Sequence, residues 1–275
     1  DPLNIIPSNL KSAEKIKVRG TLLNNKISID FFEKRQDVVA GGLERGNFNL
    51  KAQKTLVVPL YTGSQPVISI QDINSKIFDL NNANSLNSWI KEVSYNGAWL
   101  EGQVTNWIQV SSVNCNLEDL RNVVIQELGN SQIEPYTRMI IITEGMCPSH
   151  FDGVADIGLP EIQLGNTKIL LSTSLINSIS NLDNGVVTHE FGHNLGLRHA
   201  NALNCNNVQP FQGACSSDIY GDLIEVMGIS GSKAHFNALH KKEIGWLKKS
   251  HMLDYVPKQV TYTIEPIEIN SPYTK

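Results

Sequence analysis

The stretch His189-Glu190-Phe191-Gly192-His193-Asn194-Leu195-Gly196-Leu197-Arg198-His199 constrains this chain more than any other. Two histidines four residues apart share one face of a helix, with Cβ atoms roughly 5–6 Å apart. Both imidazoles can then reach one metal ion at a bond length of about 2.0–2.1 Å. Glu190 directly follows the first histidine, so it projects from a neighbouring part of the helix surface. From there it reaches a metal-bound water without ligating the metal itself. A continued helix would carry His199 further along the axis, badly aimed at a shared ion. Gly196 removes that difficulty, because glycine takes positive φ without steric penalty and ends a helix sharply. Three neutral imidazoles leave zinc its full charge and a fourth position open to water, as in a catalytic site. A His-Glu-x-x-His match alone also fits an ordinary amphipathic helix. Core packing gives no reason for three histidines at these offsets beside a carboxylate, because each would need its own polar partner.

The segment from His189 to His199 resembles the metzincin zinc-peptidase signature. That resemblance implies a methionine beneath the metal, and Met227 in Tyr220-Gly221-Asp222-Leu223-Ile224-Glu225-Val226-Met227-Gly228 answers to it as a supporting side chain, not a ligand. His199-Ala200, Tyr220-Gly221-Asp222 and Val226-Met227-Gly228 are most similar to the gametolysin group of metzincins. Three further stretches agree: Glu92 to Val104, Gly153-Val154-Ala155-Asp156-Ile157-Gly158 and Phe236 to Leu247. They resemble the group's second strand, substrate edge and closing helix, so the likeness covers roughly residues 55 to 250. Some metzincins carry a tyrosine two residues past the methionine, where this chain has Ile229. Oxyanion stabilisation from that position is ruled out, and Tyr220 is the candidate substitute.

The resemblance implies an α/β (α+β) fold: a metzincin-like mixed twisted sheet with an active-site helix. It implies one catalytic Zn2+ held by His189, His193 and His199, with Glu190 as general base. The expected activity is that of a secreted zinc metalloendopeptidase acting on extended polypeptides or glycoproteins. The substrate would add as a strand near Gly153 to Gln163. Two alternatives stand beside it: a non-catalytic, zinc-stabilised adhesin, and an enzyme of the same metal chemistry acting on mucins or non-peptide amides. An intact Glu190 speaks against the adhesin, because a structural site needs no base.

A net charge of −4 leaves no basic footprint for nucleic acid. No apolar run approaches the roughly 20 residues of a membrane span. The first residue is Asp1, so a leader or initiating methionine is expected to have been removed or left out. The absence of an Asn-x-Ser/Thr sequon favours a bacterial source. The four cysteines allow three pairings or free thiols. Because Cys205 and Cys215 flank the loop between the third histidine and the Met-turn, Cys205–Cys215 with Cys115–Cys147 is the preferred set. His150, His235, His240 and His251 lie outside the ligand spacing and read as surface or satisfied core residues. Calcium at Asp218, Asp222 and Glu225 matches no EF-hand spacing, and these read as turn residues.

Residues 1–52 read as a β-rich N-terminal region, a pro-segment remnant or accessory module. Lys15–Leu23 and Lys26–Phe31 alternate around Asn24-Asn25 as a hairpin does. No cysteine precedes Cys115, so latency through a thiolate from this region is not expected. Residues 53–252 read as the catalytic domain and 253–275 as the start of a C-terminal β segment, with Gln259–Ile264 strand-like. Within the middle part the apolar run from Thr55 predicts a central strand. Ser85–Tyr95, Leu117–Leu128 and His235–Lys248 predict helices, and Val104–Val110, Met139–Thr143 and Ile169–Ser172 predict strands. The metal-bearing helix is expected from Asp183, as N-cap, to Leu195.

Overall fold

The computed structural model describes residues 16–23, 26–34, 48–111, 114–148, 151–183, 185–205, 215–228, 234–247 and 266–269. His150, His251 and the stretch Gln259–Ile264 lie outside the described residues. The chain divides into two compact units, Asp1–Leu43 and Glu44–Lys275. In the first, β1 (Ile16–Leu23) pairs antiparallel with β2 (Lys26–Lys34), the hairpin read from the alternation.

The second unit has the mixed α/β architecture expected. Its sheet runs in the order β4 (Ala98–Val104), β3 (Lys51–Tyr61), β6 (Arg138–Glu144), β10 (Ser172–Asn177), β7 (Gly153–Ala155), and the short β5 (Ile108–Gln109) also pairs with β3. β4, β3, β6 and β10 are mutually parallel, while β7 lies antiparallel at the edge. Parallel neighbours need crossovers, which put covering elements on the sheet. Between β3 and β4 come α1 (Ile70–Ile77) and α2 (Leu86–Val93); between β5 and β6 come α3 (Leu117–Leu128) and α4 (Asn130–Ile133). A separate hairpin, β8 (Glu161–Leu164) with β9 (Thr167–Leu170), fills the crossing from β7 to β10.

Alternation along the strands sends side chains to two apolar layers. Val57, Ile140, Ile142 and Ile176 join Trp89, Ile90 and Phe191 on one side; Leu56, Val58, Met139, Ile141 and Leu175 join Leu120 and Val124 on the other. Each such fully buried aliphatic side chain contributes roughly 1.5–3 kcal/mol. Side chains of Ser69, Ser85 and Asn116 cap α1, α2 and α3 by accepting from backbone N–H groups in the first turn. Arg138, fully buried at the start of β6, donates through Nη2 to the side-chain oxygens of Asn49 and Gln53.

Several boundaries differ from expectation. The strand expected at Val104–Val110 is present only as the short β5, Ile108–Gln109; the longer β4 precedes it, and the exposed polar run Glu101-Gly102-Gln103 on that edge strand masks its alternation. The strand sought at Ile169–Ser172 splits into β9 and β10, and it is the hydroxyl-rich Ser172–Asn177 that pairs with β6. The last helix, α6, covers only Ala238–Glu243, with Asn237 as cap. The two disulfides are Cys115–Cys147 and Cys205–Cys215.

Candidate metal centre

The helix that carries the histidine pair, α5, spans Val186–Asn194. It starts later than expected. Ile179–Leu182 forms a 3-10 turn, and Gly185, at φ +89°, redirects the chain as N-cap. Asp183 therefore caps nothing in α5, and its carboxylate pairs with Lys76. The far end closes as the sequence implied. Gly196 adopts φ +105°. Its N–H bonds the carbonyl of His193 at 2.8 Å, and the Leu197 N–H bonds that of Gly192 at 3.1 Å. This pair of bonds is a Schellman closure, which needs a residue in the left-handed region. The chain then turns back and brings His199 to the pair.

One ring nitrogen from each of His189, His193 and His199 lies within 4.8 Å of the others. The His193 and His199 Nε2 atoms are 3.1 Å apart. His189 Nδ1 sits 2.8 Å from the Val226 carbonyl, and His193 Nδ1 sits 2.9 Å from that of Leu197. A carbonyl only accepts, so both Nδ1 atoms carry the proton and both Nε2 atoms present lone pairs. Burial also holds the three rings neutral. It pushes His193 down to about 4 and lowers His189 and His199 below their ordinary values; at His189 the Val226 bond and the nearby Glu225 charge oppose the shift. Three neutral imidazoles, two of them oriented by backbone acceptors, are a donor set that fits zinc. No fourth ligating side chain joins the group among the described residues.

Glu190 is buried beside this group, and its Oε2 has no hydrogen-bond partner. Burial pushes its carboxyl up to about 8. Gly153 of the edge strand lies against it: a Cβ there would stand 2.8 Å from Glu190 Oε1. Two further links join the edge segment to α5. The Gly158 N–H donates to the His193 carbonyl at 2.8 Å, and Asn194 Nδ2 donates to the Asp156 carbonyl at 3.0 Å. Val154 and Ile157 are exposed along this edge, and β7 has no strand on its outer side among the described residues.

Met227 is fully buried, with its sulfur under Gly192 of α5. The Tyr220 ring lies against that of His199, tilted by 39° with ring centroids 4.1 Å apart. His235 and His240 lie away from the group, hydrogen-bonded to Glu92 and Glu225 respectively. Asp218 and Asp222 accept from backbone N–H groups two residues ahead, as turn residues do. Glu225 does more, because it is buried and bonded to both His240 and the Met227 N–H. Sequence spacing gave no sign of this contact, which joins elements distant along the chain.

Residues 85–209, which include all three histidines, match the family model of the dual-action HEIGH metallo-peptidases. This match supports a zinc metallopeptidase, a hydrolase whose substrate is a polypeptide. The corresponding pentapeptide here is His189-Glu190-Phe191-Gly192-His193. No curated protein matches the chain. Among the described residues no helix is long and apolar enough to cross a membrane.

Proposed function

We propose that this chain is a secreted zinc-dependent endopeptidase in which His189, His193 and His199 hold the metal and Glu190 is the general base. Its likeness to gametolysins at His199-Ala200 and around Met227 suggests extracellular proteins or glycoproteins as substrates, and the lack of an Asn-x-Ser/Thr sequon suggests a bacterial source. We read residues 53–252 as the catalytic domain, 1–52 as a pro-segment remnant or accessory module, and 253–275 as the start of a β segment. One observation carries the reading: three imidazoles converge beside a buried carboxylate that has an unpartnered oxygen.

When bound, zinc supplies a coordinated water with a pKa near about 7 and an electrophile for the scissile carbonyl. The chain's own groups do the rest. The backbone carbonyls of Val226 and Leu197 hold two imidazoles in the Nδ1–H tautomer. Beside a bound dication the Glu190 carboxyl would be ionised despite its burial, and that carboxylate accepts the proton of the attacking water and delivers it to the leaving amine. The β7 edge takes an extended peptide by main-chain hydrogen bonds, which fix the register of the scissile bond. Gly153 keeps the space over Glu190 clear. The adhesin reading is weaker, because it leaves a buried carboxylate without a task.

The test combines metal analysis with proteolysis of denatured casein or gelatin. We expect about one zinc per chain, lost on His193→Ala. Glu190→Ala should keep the zinc and lose cleavage. Full cleavage by Glu190→Ala, or unchanged zinc in His193→Ala, would refute the assignment.

A further inference from the structure

From the contacts beneath His189 we infer that Glu225 is a positioning residue of the metal site, fixing through the Met-turn backbone the orientation in which His189 meets the ion. The inference rests on the proposed zinc reading and adds to it a residue outside the histidine motif.

Glu225 is 1% exposed, and both of its carboxylate oxygens are engaged. Oε1 accepts from His240 Nδ1 at 2.9 Å, and Oε2 accepts from the Met227 N–H at 2.8 Å. His240 is itself buried on α6, and Asn237 caps that helix by accepting from the His240 N–H at 2.9 Å. The carboxylate thus ties the turn at Glu225–Gly228 to α6, and the Gly228 N–H closes the turn on the Glu225 carbonyl at 2.9 Å.

The turn meets the site in three places. The Val226 carbonyl accepts a hydrogen bond from the Nδ1–H of His189. The Met227 carbonyl accepts from the Ala200 N–H at 2.8 Å, next to His199. The Met227 sulfur lies under Gly192, between the two ligands of α5. Removing the carboxylate frees the Met227 N–H and the His240 ring and lets the peptide plane of Val226 rotate. Rotation of that plane moves the acceptor that sets the His189 tautomer and ring angle. Outer partners of a ligating histidine typically change metal affinity about 10–100-fold when removed.

The experiment uses the full chain with cobalt(II) replacing zinc, because the cobalt d–d bands report ligand geometry. Glu225→Ala should weaken cobalt affinity about 10–100-fold and shift the bands, with kcat falling more than KM rises. Glu225→Gln keeps an oxygen for the Met227 N–H and should recover most of the affinity and the wild-type band positions. If Glu225→Ala fails to fold, Glu225→Gln against His240→Gln carries the test, with His240→Gln expected to shift the bands in the same sense. Variants that melt earlier yet bind cobalt with wild-type affinity and unshifted bands would overturn the inference. A wild-type chain that binds no cobalt would instead overturn the zinc reading on which it stands.

Discussion

The sulfur of Met227 lies so close beneath Gly192 that a Cβ on this glycine would stand 2.3 Å from Sδ and 3.0 Å from the Phe236 ring. The residue just before the second helical histidine is therefore glycine for a packing reason. It lets the Met-turn approach the backbone of α5 directly. Gly192→Ala should push Met227 and Phe236 aside and destabilise the fold by about 1–3 kcal/mol, the range for overpacked cores. Denaturant unfolding measures the first effect, and zinc titration should reveal a weaker site. Stability equal to that of the parent would contradict the packing.

Much of this centre is legible in the sequence because its parts are local. His189, His193, Gly196 and His199 lie within one helix and the turn that ends it, where spacing dictates geometry. Leu117–Leu128 was equally plain, since its cap, its acidic first turn and its apolar positions are all local. What escaped was set by distant contacts. Ser172–Asn177 carries hydroxyls and an amide, yet every residue of it is buried, because Ser174 bonds Asn194 and Asn177 bonds the chain at Pro148 and Phe151. Glu225 read as an ordinary turn residue, since its partner His240 lies on another element. Asp183 looked like a helix cap until Gly185 took that place.

Gly153 and Glu190 belong to different elements and depend on each other. The glycine lies directly against the carboxylate, and a Cβ would stand 2.8 Å from Oε1 and from Cγ. Gly153→Ala should displace Glu190 while leaving the histidines in place. We expect a loss of kcat on the order of 10–100-fold, as for misplacement of a catalytic group, with zinc content unchanged. Wild-type kcat in this variant would separate Gly153 from the work of Glu190.

An ion pair adds to the bonds that hold the segment following β7. Asp156 Oδ2 accepts from Arg121 Nη2 at 2.7 Å and from the Thr173 N–H at 2.9 Å, and Arg121 Nε also donates to the Thr173 hydroxyl. Both side chains are largely shielded from solvent. Asp156→Ala leaves the guanidinium and the Thr173 N–H without their acceptor, which destabilises by about 1.5–3 kcal/mol. Because this segment forms the proposed substrate edge, KM should rise several-fold with little change in kcat or zinc content. A variant that loses zinc in step with activity would mean that Asp156 serves the metal site instead.

Glu190 and His193 give the metal-free protein opposite dependences on pH. The carboxyl of Glu190 rises from its ordinary value of 4.5 to about 8 on burial. Between those values the folded state binds the extra proton, so its stabilising contribution is complete below 4.5 and is lost as pH rises through 8. His193 falls from 6.5 to about 4, again through burial. There the unfolded state binds the extra proton, so the contribution is complete above 6.5 and is lost as pH falls toward 4. In chelator-treated protein, Glu190→Gln should match the parent in stability near pH 5. It should then exceed the parent by a few kcal/mol at pH 9, about 1.4 kcal/mol for each unit of the removed shift. His193→Gln should flatten the curve between pH 6.5 and 4 instead. Unfolding free energies across pH 4 to 9 distinguish the two slopes. A Glu190→Gln curve parallel to the parent throughout would mean that the carboxyl is not desolvated in the metal-free site.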